Sequence, residues 1–174
     1  MILIAIGANL STSTDRSPQS TCEWAIERMR QIPGLTLDSF SPWYLSEPIP
    51  KAAQPPYVNG MARFSGAADP AWLLNRLHEI EAETGRARRE SQINDLNAPR
   101  TLDLDLIDLN GLINSGPSPV LPHPRAHLRA FVLVPLHDVA PDWLHPILGK
   151  TAAALVAALP PQQIAPLAPA GRIA

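Results

Sequence analysis

An unbroken apolar run from Ile2 to Ile6 opens the chain and ends at Gly7, the pattern of a fully buried strand. Gly7-Ala8-Asn9 then turns the chain. Ser17-Pro18 predicts a helix start, because proline is tolerated in the first turn. Cys22, Ala25, Ile26 and Met29 follow at helical spacing, and Pro33-Gly34 stops the helix. Leu35, Leu37 and Ser39 begin a second strand, which continues through Phe40 toward Tyr44. A stiff proline-rich loop from Ser46 to Pro56 leads to a third strand over Tyr57 to Phe64. Asp69-Pro70 caps a second helix whose core stripe is Leu73, Leu77 and Ile80. His78 and Glu81 fall off that stripe, and Gly85 ends the helix.

Leu102 to Leu106 alternate apolar and acidic residues with period two, which predicts a half-buried strand. Asn110-Gly111 signals a hairpin turn, with Leu112-Ile113 as a short returning strand. Arg125 to Ala130 reads as helical, and Phe131 to Leu136 as an apolar strand or helix extension. Thr151 to Leu159 is a short alanine-rich helix. The order βαββαβ predicts an α+β fold: a ferredoxin-like core with an antiparallel sheet, helices on one face, and C-terminal additions. The expected organisation is one domain over residues 1–160 and a flexible Pro/Ala-rich tail over 161–174.

Composition narrows the class. At 174 residues the chain can bury a core without staples. A net charge of −2 gives no global pull toward nucleic acid, which is not an expected partner. The single cysteine, Cys22, fits a reducing compartment and a buried small hydrophobe. No membrane span or signal peptide is legible, so a cytoplasmic, monomeric protein is expected.

Candidate chemistry concentrates around Asp103 and Asp105. Period two puts both on one strand face, with Cα atoms roughly 6.5 Å apart. Like charges at that separation repel by about 3 kcal/mol at an effective dielectric near 20. Divalent cations relieve that repulsion, and Mg²⁺ is usually held by one or two carboxylates plus substrate phosphates. The alternative is a solvated strand face. Arg100 lies just upstream and could hold a phosphate bidentately. Arg86, Arg88 and Arg89 cluster nearby in sequence. Tyr57 and Asn59 share a strand face; an aromatic plate beside an amide suits a flat heterocycle, or is an ordinary surface pair. No P-loop, zinc-ligand spacing or nucleophile elbow is present. His123 and His127 have the spacing of a metal pair but no glutamate partner beside them.

Taken in order, these segments resemble the 6-hydroxymethyl-7,8-dihydropterin pyrophosphokinases of folate biosynthesis. The resemblance runs through Ile4 to Leu10, Gln54 to Asn59, Ile80-Glu81, and Gly85 to Arg88. It is most specific at Pro99 to Asp105, and continues through Leu121 to Arg125, Arg129 to Phe131, and Pro135-Leu136. It implies transfer of pyrophosphate from ATP to the hydroxymethyl oxygen of the dihydropterin, with release of AMP. It implies two Mg²⁺ ions on Asp103 and Asp105, bridging the ATP phosphates and the acceptor hydroxyl. Tyr57 and Phe131 would sandwich the pterin, Asn59 would bond its edge, and Ser46 to Pro48 would complete its recognition. Glu81, Arg86, Arg88, Arg100, His123 and Arg129 match positions on the ATP side, and Arg88 and Arg100 join the aspartates in catalysis.

Many relatives carry Arg-Trp-Gly-Pro-Arg before the aspartates. This chain has Leu96-Asn97-Ala98-Pro99-Arg100, and residues 90–99 hold no cation. The alternative reading is therefore an impaired paralogue that binds pterin or nucleotide without efficient transfer.

Overall fold

The computed structural model describes residues 1–48, 53–85 and 99–167. Its elements run β1 (Ile2–Ala8), α1 (Pro18–Met29), β2 (Leu35–Phe40), β3 (Tyr44–Ser46), β4 (Tyr57–Gly66), α2 (Pro70–Glu83) and β5 (Asp103–Leu109). A 3₁₀ turn (Ala126–Leu128), α3 (Ala130–Val139), α4 (Ala152–Ala157) and β6 (Ile164–Pro166) follow.

Local chemistry sets the helix starts. Ser17 accepts a hydrogen bond from the Ser20 amide and Asp69 from the Trp72 amide, each ahead of a first-turn proline. Gly85 leaves α2 at φ +80°, the left-handed region that glycine enters without strain.

The six-stranded sheet has the order β5-β1-β4-β3-β6, and β2 also pairs with β4. Every hydrogen-bonded pair is antiparallel. This is the ferredoxin-like arrangement, with its second strand broken into β2 and β3. Ser41 fills the break: its amide donates to the Met61 carbonyl, and its hydroxyl accepts from the Met61 amide. Trp43 then lies over Gly60, where a Cβ would come within 2.5 Å of the indole. The predicted continuous strand toward Tyr44 fails because Pro42 has no N–H to give the ladder.

The two helices of the core share one face, as expected, and the C-terminal additions cover the other. α1 and α2 pack on Ile2, Ile4, Ile6, Phe64, Leu104 and Leu106. α3, α4 and Trp143 pack on Leu3, Met61 and Ile107. The second layer explains why β1 is apolar at consecutive positions: both its faces are interior. α3 carries Phe131 to Leu136 as helix, with Pro135 inside it, so the strand alternative is not realised. Leu112-Ile113 forms no strand; the chain instead makes a single bridge between Asn114 and Leu121. Residues 164–166, expected to belong to a free tail, pair with β3.

Candidate active site

Gly7 on β1 pairs with Asn59 on one side and with Asp103 on the other. Two strand spacings therefore separate Asn59 from Asp103, about 10 Å between Cα atoms. Leu104 and Val58 face the α1–α2 core, so alternation turns Asp103, Asp105, Tyr57 and Asn59 to the α3 side. A Cβ on Gly7 would stand 3.5 Å from the Asn59 Oδ1 and 4.0 Å from the Asp103 Cβ. Glycine leaves an open floor between the amide and the acidic pair.

At the acidic end, the Arg100 guanidinium bonds the Asp103 Oδ2 at 2.5 Å. Arg129 Nη1 lies 3.8 Å and His123 Nε2 lies 3.9 Å from the Asp105 Oδ2. Burial, and then the neighbouring Asp103, push the Asp105 carboxyl up to about 7. Burial, and then Arg129 and Arg125, push the His123 imidazole down to about 4. His123 is therefore neutral near pH 7, and its contact with Asp105 is not an ion pair. Its Nδ1 accepts from the Arg125 amide at 3.2 Å, which assigns the ring proton to Nε2, facing the recess.

The chemistry of the donor set fits hard cations. Asp103 and Asp105 offer carboxylate oxygens that repel one another, beside cations suited to phosphates. No group of three or more His, Cys, Asp or Glu side chains gathers as a metal cage among the described residues. Further ligands would come from phosphates and water, the usual coordination of Mg²⁺.

At the other end, the Asn59 Nδ2 donates to the Ser46 Oγ at 2.9 Å and to the Tyr57 carbonyl at 3.2 Å. The amide is thus locked in orientation before any ligand arrives. Pro48 is buried, and Tyr57 and Phe131 are half-buried. The Arg129 guanidinium sits 5.4 Å over the Phe131 ring, which connects the aromatic wall to the cationic one. A cleft of about 400 Å³ beside Ser46 is lined by Leu45, Glu47, Pro56, Gln162 and Ile164 as well.

Glu81 does not lie off the core stripe of α2. It is 1% exposed, and its Oε1 accepts the Leu104 amide of β5 at 2.8 Å. Helical periodicity alone puts a charged residue outside; an unpaired strand amide draws it in. Arg86 and Arg88, with Arg89 and the Leu96-Asn97-Ala98 segment, lie outside the described residues.

Sequence reasoning assigned no role to Asn9. Its Oδ1 accepts the Arg100 amide at 2.8 Å, and its Nδ2 donates to the Gln54 Oε1 and the Pro55 carbonyl, each at 3.1 Å. Its backbone N–H also donates to the Arg100 carbonyl at 3.0 Å. One buried amide thus joins the loop before Tyr57 to the segment before Asp103. A polar residue directly after a buried strand was the available signal.

Comparison with known proteins gives one family. The sequence profile of 7,8-dihydro-6-hydroxymethylpterin-pyrophosphokinase matches residues 3–141. A 2-amino-4-hydroxy-6-hydroxymethyldihydropteridine pyrophosphokinase of Pseudomonas aeruginosa is 37% identical over 160 residues, covering 91% of each chain. Enzymes of the same name from Synechocystis sp. and Haemophilus influenzae are each 34% identical, over 96% and 82% of this chain and 80% and 83% of their own.

Proposed function

The chain belongs to the 7,8-dihydro-6-hydroxymethylpterin-pyrophosphokinase family, and on that footing we propose how its cleft performs the family's reaction. The protein transfers pyrophosphate from ATP to 6-hydroxymethyl-7,8-dihydropterin in folate synthesis, giving AMP and the pterin pyrophosphate. The observation that carries the assignment of roles is the row Asn59–Gly7–Asp103: a heterocycle-binding amide and an acidic pair share one open floor.

On the pterin side, Tyr57 and Phe131 stack on the ring faces. Asn59, Ser46 and the backbone toward Pro48 read its edge. The Ser46 hydroxyl and the Tyr57 carbonyl hold the Asn59 NH₂, which leaves Oδ1 to accept from the heterocycle. On the ATP side, Arg100 and Arg129 neutralise phosphate oxygens, and His123 donates through Nε2. Arg86 and Arg88 complete that side, and Glu81 supports it from beneath by fixing the start of β5. Asp103 and Asp105 would hold two Mg²⁺ ions. When bound, these supply charge neutralisation on the phosphates and acidify the attacking hydroxyl. The hydroxymethyl oxygen forms a bond to the β-phosphorus, the bond from that phosphorus to the AMP oxygen breaks with its electron pair leaving on AMP, and the hydroxyl proton passes to solvent. Little covalent work falls to the protein; alignment and charge do most of it.

No described helix is long and apolar enough to cross a membrane. We further propose a cytoplasmic monomer as the working form.

The test is AMP production from ATP in the presence of the hydroxymethyldihydropterin, with and without Mg²⁺. AMP should form only with all three present. Tight pterin binding without AMP would replace this reading with that of the impaired paralogue.

A further inference from the structure

The family profile ends at residue 141, yet a side chain well beyond it holds the backbone of the candidate site. Arg129 opens α3 with no side-chain cap of its own. Gln162 supplies what is missing from 32 residues away: its Oε1 accepts the Ala130 amide at 2.8 Å. Its Nε2 donates to the Leu128 carbonyl at 3.0 Å. These two groups flank Arg129, whose φ of −128° and ψ of 111° are extended. One amide side chain therefore pairs with both sides of an extended residue, as a neighbouring strand would. Arg129 faces Asp105, and the next ring along, Phe131, lies under its guanidinium.

The same segment grips the opposite wall. Two residues after Gln162, β6 begins, and Ile164 pairs with Ser46 of β3. The Ser46 hydroxyl is the partner of Asn59. Leu167 continues the ladder by donating to the Trp43 carbonyl at 2.8 Å. Residues 162–167 thus run from the helix that carries Arg129 and Phe131 to the strand that carries Ser46.

We infer that Gln162 is a positioning residue for pterin binding: it sets the start of α3, and through it the height of Phe131 above the pterin site. This rests on the pterin assignment made above. It predicts that the chain past the family's matched region tunes substrate affinity.

Full-length Gln162→Ala tests it by three readings. Exchange of the Ala130 amide with solvent should accelerate about tenfold once its acceptor is gone. The pterin Kd and KM should rise about tenfold, with kcat changed less than about threefold. Gln162→Glu, which keeps the acceptor for Ala130 but turns a carboxylate oxygen toward the Leu128 carbonyl, should recover only part of the affinity, and Pro161→Ala next to it should match the parent. In a Phe131→Ala background, Gln162→Ala should change the pterin Kd by less than about twofold. A lowered melting temperature with unaltered pterin Kd overturns the inference, and so do effects of the two substitutions that simply multiply. A parent protein that makes no AMP would instead sink the assigned reaction. Amide exchange and equilibrium pterin binding would still decide the role of Gln162.

Discussion

Asp105 and Asp108 stand on the same strand and are treated in opposite ways. Asp108 is 1% exposed and has both oxygens engaged. Its Oδ1 accepts the Gly111 amide at 2.8 Å, and its Oδ2 accepts the Trp143 Nε1 at 3.2 Å. A register shift opposite Leu3 and Ile4 aims it there. Asp105 has its nearest cation, Arg129, at 3.8 Å and the neutral His123 ring at 3.9 Å, a second carboxylate on its own face, and a pKa pushed up to about 7. One carboxylate is spent on holding a turn and an indole. The other is only loosely paired and costly to ionise, which is a burden in the ligand-free protein and a resource once cations and phosphates arrive. The strand thus divides into a structural end and a reactive end within a single turn of pleat.

The sharpest way to break the comparison is to remove the acids one at a time. Asp103→Ala or Asp105→Ala should lower AMP formation about a thousandfold or more, while pterin binding on the Tyr57 side survives. Normal turnover by either variant would overturn the metal assignment. Asp108→Ala should do the reverse. It strands a buried indole N–H and a turn amide, so urea unfolding should show a loss of about 3 kcal/mol, with kcat at low temperature close to the parent's.

The smallest effect has the most telling sign. Asp105→Asn should stabilise the ligand-free protein at pH 8 while abolishing activity. The folded carboxyl is raised to about 7 from 3.8, so the folded state holds its proton where the unfolded state has lost it. The gain from substitution is therefore full above pH 7, and fades as the pH falls toward 4. The side chain keeps 31% of its surface in water, so screening trims the gain to about 1–2 kcal/mol. His123 has the opposite dependence. It contributes stability above its unfolded value of 6.5 that is lost as pH falls toward 4; because its ring lies 3.9 Å from the substituted side chain, the comparison at pH 8, where it is neutral folded and unfolded, carries the test. Denaturant melts at pH 5 and pH 8 would show it; a variant less stable than the parent at pH 8 would mean that Asp105 is not burdened as described.

The reactive end was legible in the sequence because Asp-Leu-Asp violates what a strand ordinarily carries, and period two fixes its geometry. The buried β1 and the capped starts of α1 and α2 were legible for similar reasons: each depends on neighbours in sequence. What escaped depends on partners far along the chain. Glu81 is drawn inward by Leu104, Asn9 is bonded to Gln54 and Arg100, and α3 is placed by the uncovered face of the sheet. Residues 164–166 look like tail because their pairing partner is β3, more than a hundred residues earlier. The inward turn of Asp108 escaped for another reason: a bulge cannot be read from alternation.

The bond from Glu81 to Leu104 has a consequence for colloidal behaviour. β5 is the last strand on its side of the sheet, and such a margin is a template on which a second chain can add. Here a helix reaches over and occupies one of the margin's amides with a buried acid. An incoming strand would have to expel that carboxylate before it could register. Glu81 therefore keeps that amide from pairing with another chain as well as steadying the strand that bears the aspartates.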